Sequence, residues 1–288
     1  MELGEVQGYP RPLTVVSHII TLTTDFGLSD PYVASMKGVI LSINPDAVIA
    51  DITHAVEPQQ IEQGVFLLAA ACPYFPSGSI HVAVVDPGVG TERRAIALAT
   101  PVGTFVGPDN GILSAALPDQ ARRAAGEKPH PVPLPPGTAA HLLTNERFHR
   151  IQVSATFHGR DIFAPVAAHL SRGVPLDELG PPVGEIMALP PFRARSQPDG
   201  SLLGRVIHID RFGNLITDVR AEQLPPPLPL VVEIAGRRIR GLSPTYGHGT
   251  GLLALIGSSG FLEIALRQGS AALELGAHPG DSLLVRGA

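Results

Sequence analysis

Hydrophobic positions change their rhythm about two thirds of the way along this chain. Residues 19–24 (Ile-Ile-Thr-Leu-Thr-Thr) form a compact run that reads as a buried strand. Val33, Met36, Ile40 and Ile43 then recur at spacings of three, four and three, the stripe of an amphipathic helix. Asp30 stands where an N-cap belongs and Pro31 where a first helical residue belongs. Residues 47–53 read as a second strand. Pro58 opens a second helix, with Ile61, Val65, Leu68 and Cys72 on one face, and residues 80–85 form a third strand ending at Asp86-Pro87-Gly88. Strand, helix, strand, helix, strand predicts a parallel sheet with covering helices. Further strands are expected over 94–100, 104–106 and 148–154, a proline-rich loop near 129–137, and a helix over 162–172 that tolerates Pro165 in its first turn.

Beyond residue 200 the helical spacing stops. Short apolar runs at 203–209, 215–219, 230–234, 239–242, 252–256, 261–265 and 282–285 alternate with turn residues, which predicts a small antiparallel sheet or barrel. Between the two textures, Pro181, Pro182, Pro190, Pro191 and Pro198 punctuate a segment of little periodicity. The expected organisation is a flexible extension over 1–17, an α/β domain over 18–180, a proline-rich linker over 181–199 and a β-barrel-like domain over 200–288.

Composition narrows the class. The chain has 288 residues, 44% hydrophobic and 16% charged, which excludes a disordered or charge-driven polymer. A net charge of −5, with basic residues in isolated pairs such as Arg93-Arg94, argues against a nucleic-acid partner. The single cysteine, Cys72, permits no disulfide within the chain and reads as a buried small hydrophobe. Glu2 and Glu5 are wrong for a secretory signal, and the apolar run 64–75 is shorter than the ~20 residues that span a bilayer. A cytoplasmic protein without a membrane partner is expected.

Candidate chemistry sits where strands end. Asp25 follows the first strand and Asp86 the third, and open parallel sheets bind ligands outside the carboxyl ends of their strands. Each aspartate equally fits a turn cap. The loop from Asp86 to Arg94 lets Arg93 fold back towards Asp86, as a structural clamp or a charge-tuned site. Gly88-Val89-Gly90 lacks a Walker lysine and the dinucleotide fingerprint. None of the eleven histidines makes a pair at metal-ligand spacing, but His158, between Phe157 and Gly159 just before a helix, is placed to be exposed. In the second half, Asp210 and Asn214 read as turn formers or as ligand contacts. Glu263 lies on a largely apolar strand, sharing a face with Phe261 and Ala265. It either needs a buried partner or faces solvent at the rim.

Taken in order, these clusters resemble one family. They are Thr23-Thr24-Asp25-Phe26-Gly27 through Lys37-Gly38, Asp51-Ile52-Thr53-His54, 85–91 with Arg93-Arg94, Pro108-Asp109-Asn110-Gly111, 156–161, 210–214 and 258–263. The family is the S-adenosyl-L-methionine hydroxide adenosyltransferases, relatives of bacterial fluorinase and chlorinase. The resemblance implies a Rossmann-like N-terminal domain, a small β-barrel-like C-terminal domain, and a homotrimer whose sites lie between one subunit's first domain and its neighbour's second. It implies hydrolysis of S-adenosylmethionine to adenosine and methionine without cofactor or metal, with Asp86, Arg93 and His158 as the catalytic set. Asp25 would hold the ribose hydroxyls. Phe157, Asp210, Phe212 and Asn214 would contact substrate, Asn214 and Asp210 at its methionine part. Ser258 and Glu263 would hold methionine or adenosine, and Leu266 would lie beside adenine. In the halogenases an aromatic residue stands where this chain has Asp86 and a serine where it has Gly159, and their long insertion is here only Pro101-Val102-Gly103. The competing readings are a halogenase of the same fold and a non-catalytic S-adenosylmethionine or adenosine binder. The residues alone also allow a metal-dependent hydrolase using Asp25, Asp86 and His158.

Overall fold

Strand β1 (Ile19–Thr24) buries five of its six residues, as a central parallel strand must. The computed structural model describes residues 19–123, 128–224 and 229–287, so the extension expected over 1–17 lies outside the described residues. Helix α1 (Tyr32–Ile43) follows, burying Val33, Met36 and Ile40. Its N-terminal flank is Pro31 and no side chain caps it, so the capping expected of Asp30 is not made. Strand β2 (Val48–Thr53), helix α2 (Ile61–Ala71) and strand β3 (Ser79–Val84) complete two crossovers. Helix α2 begins three residues after Pro58, because Gln59 takes a left-handed φ of 67° that interrupts the first turn.

Antiparallel strands then extend the sheet. The chain runs through β4 (Ala95–Thr100), β5 (Gly103–Pro108), the one-turn α3 (Asp119–Arg122), β6 (His130–Pro133), β7 (Ala139–Leu142) and α4 (Ala164–Ser171). Strand β8 (Pro182–Val183) closes the order β2-β1-β3-β5-β4-β7-β8, in which β2, β1, β3 and β5 are parallel. Helices α1 and α4 cover one face with Met36, Ile40, Val166 and Ala167, while α2 covers the other with Val65 and Leu68. Because β1 lies between β2 and β3, its two crossovers leave in opposite directions. The crevice beyond the carboxyl ends of β1 and β3 is the switch point at which such sheets bind ligands.

The strand expected over 148–154 is absent. Arg150 N–H donates to the Asp161 carbonyl and Ser154 N–H to the Asp161 carboxylate, so this stretch is held by one residue rather than by a neighbouring strand. The proline-rich stretch 181–199 carries β8, β9 (Glu185–Ala188, paired with β6) and β10 (Arg195–Ser196).

Strand β10 pairs with β11 (Leu202–Ile209), which opens the second sheet with β12 (Leu215–Arg220), β13 (Leu230–Ile234), β14 (Arg237–Arg240), β15 (Leu252–Ile256), β16 (Phe261–Leu266) and β17 (Ser282–Gly287). The order β14-β13-β17-β11-β12-β16-β15 is antiparallel throughout, and its two end strands adjoin, so the sheet is nearly a closed barrel around Leu215, Val232, Leu262 and Val285. A five-residue helix, α5 (Ala271–Leu275), interrupts the expected all-strand pattern. It is capped by the Ser270 hydroxyl and is too short to show a helical period in sequence. Helix α2 is the wall the two domains share. The Phe66 ring meets Phe192, His208 and Phe261 at 5.4–6.2 Å, and Glu62 pairs with Arg205 at 3.0 Å.

Candidate active site

The loop after β3 turns on itself through Val89 N–H to Asp86 carbonyl and Thr91 N–H to Gly88 carbonyl bonds. Gly90 is required there: its φ is +76°, and a Cβ would stand 2.4 Å from the Ala155 carbonyl oxygen. The turn brings Arg93 back onto Asp86. Its Nε donates to both carboxylate oxygens at 2.9 Å, and its Nη2 donates to Asp86 and, at 2.7 Å, to His158 Nδ1. The guanidinium also lies 5.4 Å from the Phe163 ring centre. One cation therefore bridges the carboxylate and the imidazole.

That bridge fixes the state of His158. A guanidinium N–H only donates, so Nδ1 must accept, and the neutral ring carries its proton on Nε2. Burial, then the Arg93 charge, holds the His158 pKa below the usual histidine value, which agrees with a neutral ring. His158 is half-buried and leads into a π-helical turn, Gly159–Phe163, an irregularity common at functional sites. Asp161 secures that turn: its fully buried carboxylate accepts from Arg160 Nε at 2.7 Å, Arg150 Nη1 at 3.3 Å and Ser154 N–H at 2.9 Å.

Asp25, Asp86, Phe157 and His158 line a cleft of about 390 Å³ at the switch point, with Phe26 and Tyr32. The three aromatic rings stand 5.1–5.9 Å apart in tilted and edge-on contacts. Asp25 Oδ2 accepts from Gln59 N–H at 2.9 Å. A Cβ on Gly159 would stand 3.2–3.3 Å from Phe26, Met36 and Phe157, so a larger residue here presses on the aromatic wall. A broader groove of about 820 Å³ lies elsewhere, along α1 and residues 149–152, and contains none of these groups.

None of the second-half candidates lines the cleft; Asp210, Phe212 and Asn214 form one hydrogen-bonded turn, with Glu263 near enough to feel the Asp210 charge. Asp210 Oδ1 accepts from Phe212 N–H and Asn214 N–H, and Oδ2 accepts from Asn214 Nδ2, all at 2.9 Å. Asn214 is buried, whereas Phe212 is 79% exposed. Glu263 is buried rather than at the rim, and Tyr246 OH donates to it at 2.6 Å. Burial raises the Glu263 pKa, the Tyr246 bond opposes this, and Asp210 adds to the rise. Ser258 is exposed in the turn before β16, and Leu266 is half-buried at that strand's end. Sequence reasoning passed over Tyr246, although it is the one tyrosine beyond Tyr74 and lies in a glycine-rich stretch. It also gave no role to Tyr32. Cys72 is buried, its thiol pushed up to about 11 and so unreactive. Among the described residues no three His, Cys, Asp or Glu side chains gather as a metal-ligand set, and no helix is long and apolar enough to cross a membrane.

A Rossmann-like sheet with charged groups at its switch point, joined to a nearly closed β-barrel, defines the architectural class. The chain belongs to the SAM hydroxide adenosyltransferase family, whose N-terminal domain model matches residues 20–180 and whose C-terminal domain model matches residues 204–284. The (R)-S-adenosyl-L-methionine hydrolase of Salinispora tropica is 42% identical over 271 residues, 92% of this chain and 97% of that protein. That of Thermus thermophilus is 42% identical over 89% of this chain and 95% of its own length. A fluorinase of Actinopolyspora mzabensis is 26% identical over 96% of this chain and 98% of its own. The crystal structure of an uncharacterized conserved protein from Thermotoga maritima superposes with a TM-score of 0.79 at 34% identity, over 92% of this chain and 99% of that one.

Proposed function

We propose that this protein hydrolyses S-adenosyl-L-methionine to adenosine and L-methionine, acting on the R sulfonium epimer for which its relatives are named. The observation that carries the reading is the Arg93 bridge between Asp86 and His158 at the switch point. The sulfonium makes neutral methionine a good leaving group, so the protein must supply an oxygen nucleophile in line with the C5′–S bond. Water donates a hydrogen bond to Asp86 Oδ1, which accepts only from Arg93 Nε and so keeps a lone pair, and accepts one from the Nε2–H of His158. As the C5′–O bond forms, the C5′–S electron pair leaves on sulfur and the water proton passes through Asp86 to solvent. His158 in this tautomer orients the water as a donor and is not its base. Positioning and proton acceptance of this kind are typically worth ~100- to 10,000-fold. Like charge at Asp86 opposes a halide in the same place.

Asp25 is assigned the ribose hydroxyls, Phe157 the wall of the cleft, and Asp210, Phe212, Asn214, Ser258, Glu263 and Leu266 the remaining substrate contacts. Since none of the last six lines this chain's own cleft, the reading includes a homotrimer in which a neighbour supplies them. The exposure of Phe212 supports that arrangement. A lone buried thiol suits a reducing compartment, and a cytoplasmic location belongs to the same reading.

Turnover of each separated epimer in oxygen-18 water, with and without chloride, tests the proposal. Equimolar methionine and 5′-labelled adenosine are expected. A 5′-chloro nucleoside as main product, or tight binding without turnover, overturns it. Co-assembled His158→Ala and Asn214→Ala subunits should regain part of the activity, and a fully active monomer in sedimentation would refute the shared site.

A further inference from the structure

Two segments of the family pattern, Lys37-Gly38 and 51–54, place no side chain in the cleft, yet they form a continuous polar chain that ends beside it. Lys37 Nζ lies 2.6 Å from Asp51 Oδ2. Asp51 Oδ1 lies 3.1 Å from His54 Nε2, in contact though off the direction of a straight hydrogen bond. His54 Nδ1 lies 2.8 Å from Thr24 Oγ1, and that same oxygen accepts from Phe26 N–H at 3.2 Å. The His54 carbonyl in turn accepts from Gly27 N–H at 2.8 Å. The backbone on both sides of Asp25 is thus tied to His54, through the Thr24 hydroxyl on one side and the Gly27 amide on the other. The His54 side chain is 3% exposed.

A buried histidine of this kind often serves packing alone. Here its ring nitrogen and its carbonyl converge on one four-residue turn, and that turn presents a single carboxylate to the cleft. We propose that His54 is a positioning residue, set by Thr24 and Asp51, that holds Asp25 in the orientation in which it receives the ribose hydroxyls. The proposal rests on the assignment of Asp25 to the ribose. Lys37 and Asp51 are about one third exposed, so their pair steadies the outer end of the chain and contributes little on its own. The link that matters is the inner one, between His54 and Thr24.

Three variants of the full-length protein separate positioning from packing. His54→Asn keeps an amide where Nδ1 stands, so it can still meet Thr24. His54→Gln sets its amide further out, towards Asp51. Thr24→Val removes the hydroxyl while keeping the shape. Adenosine affinity by calorimetry, kcat, and the melting temperature are read for each. His54→Gln and Thr24→Val should each weaken adenosine binding about tenfold, the scale of one buried hydrogen bond, with kcat lowered less than about threefold. His54→Asn should restore most of the affinity. In an Asp25→Asn background, His54→Gln should add almost nothing. A lowered melting temperature with unchanged adenosine affinity would assign His54 to packing and overturn the proposal, as would full additivity with Asp25→Asn. If Asp25→Asn by itself leaves adenosine affinity unchanged, it is the ribose assignment that fails, and the two failures are told apart. Should His54→Gln not fold, Thr24→Val alone carries the same expectation and the same refutation.

Discussion

The two halves of the molecule hold their acidic groups in different states. In the first half Asp86 has Arg93 against it and Asp161 has Arg150 and Arg160, while half-buried Asp25 is held by the Gln59 N–H alone. In the second half, Asp210 and Glu263 have amide and phenol partners. Among the described residues neither has a cationic side chain within ion-pair distance. A buried carboxylate without a cation is costly, and Glu263 also feels the charge of half-buried Asp210. On the proposed mechanism, the first half is arranged for chemistry before substrate arrives. The second holds negative charge in reserve, which suits a substrate carrying both a sulfonium and an ammonium group.

The strongest way to break this division is at Arg93. Arg93→Ala should lower kcat by ~100- to 10,000-fold while adenosine affinity changes by no more than a few-fold, because in the proposed mechanism the guanidinium organises the nucleophile's partners. Arg93→Lys should fare little better, since an ammonium cannot reproduce the planar fork that reaches both Asp86 and His158. Steady-state kinetics beside calorimetry decides the matter. Loss of binding with an unchanged chemical step would move Arg93 to the substrate-holding side of the comparison.

Acid should act on the first half through a residue outside the site. His81 is buried in β3, bonds Thr21 Oγ1 at 2.8 Å, and stacks on Phe105 with ring centres 4.7 Å apart. Burial pushes its pKa down to about 4, from 6.5 in the open chain. The unfolded chain therefore binds a proton that the folded one refuses. The stabilisation is complete above pH 6.5 and is lost as pH falls towards 4, about 3 kcal/mol in all. Urea midpoints at pH 7 and pH 4.5 measure it, and His81→Leu should flatten the difference. An unchanged slope in that variant would place the acid sensitivity elsewhere.

The parallel core was legible because its signals are local. The stripe Val33, Met36, Ile40 lies on one helix, and β1 and β3 are short apolar runs ending in aspartates. The failures share a cause. The composition of residues 148–154 predicts a strand, but Asp161, which holds 150 and 154, acts across the chain and leaves no periodic mark. Glu263 showed that it needed a partner if buried. That the partner is Tyr246, 17 positions earlier across a turn-rich loop, depends on how β15 and β16 fold together. Likewise the Asp86–Arg93 spacing allowed a clamp, but only the approach of the turn at Gly159 brings His158 to the same guanidinium.

The smallest effect sharpens the comparison most, because its sign depends on Glu263 having, among the described residues, no cationic side chain within ion-pair distance. Burial and the nearby Asp210 hold the Glu263 carboxyl above its usual 4.5, against the pull of the Tyr246 hydroxyl. Across the pH window from 4.5 up to that raised value, the folded protein keeps a proton that the unfolded chain has released. Stability then falls as pH rises through the window, and the deficit persists above it. Glu263→Gln removes the ionisation but keeps an oxygen to accept from Tyr246 OH. The variant should be more stable than the native protein at pH 7.5, by on the order of 1 kcal/mol, the scale of a typical single-site change, and no more stable at pH 4. It should also bind S-adenosylmethionine less tightly, since the reserve of negative charge is gone. Denaturant midpoints at the two pH values, with calorimetry at the higher one, test both halves of the expectation. A variant that is less stable than the native protein at pH 7.5 would mean that the carboxylate is already compensated within the chain. The contrast between a closed first half and a poised second half would then fail.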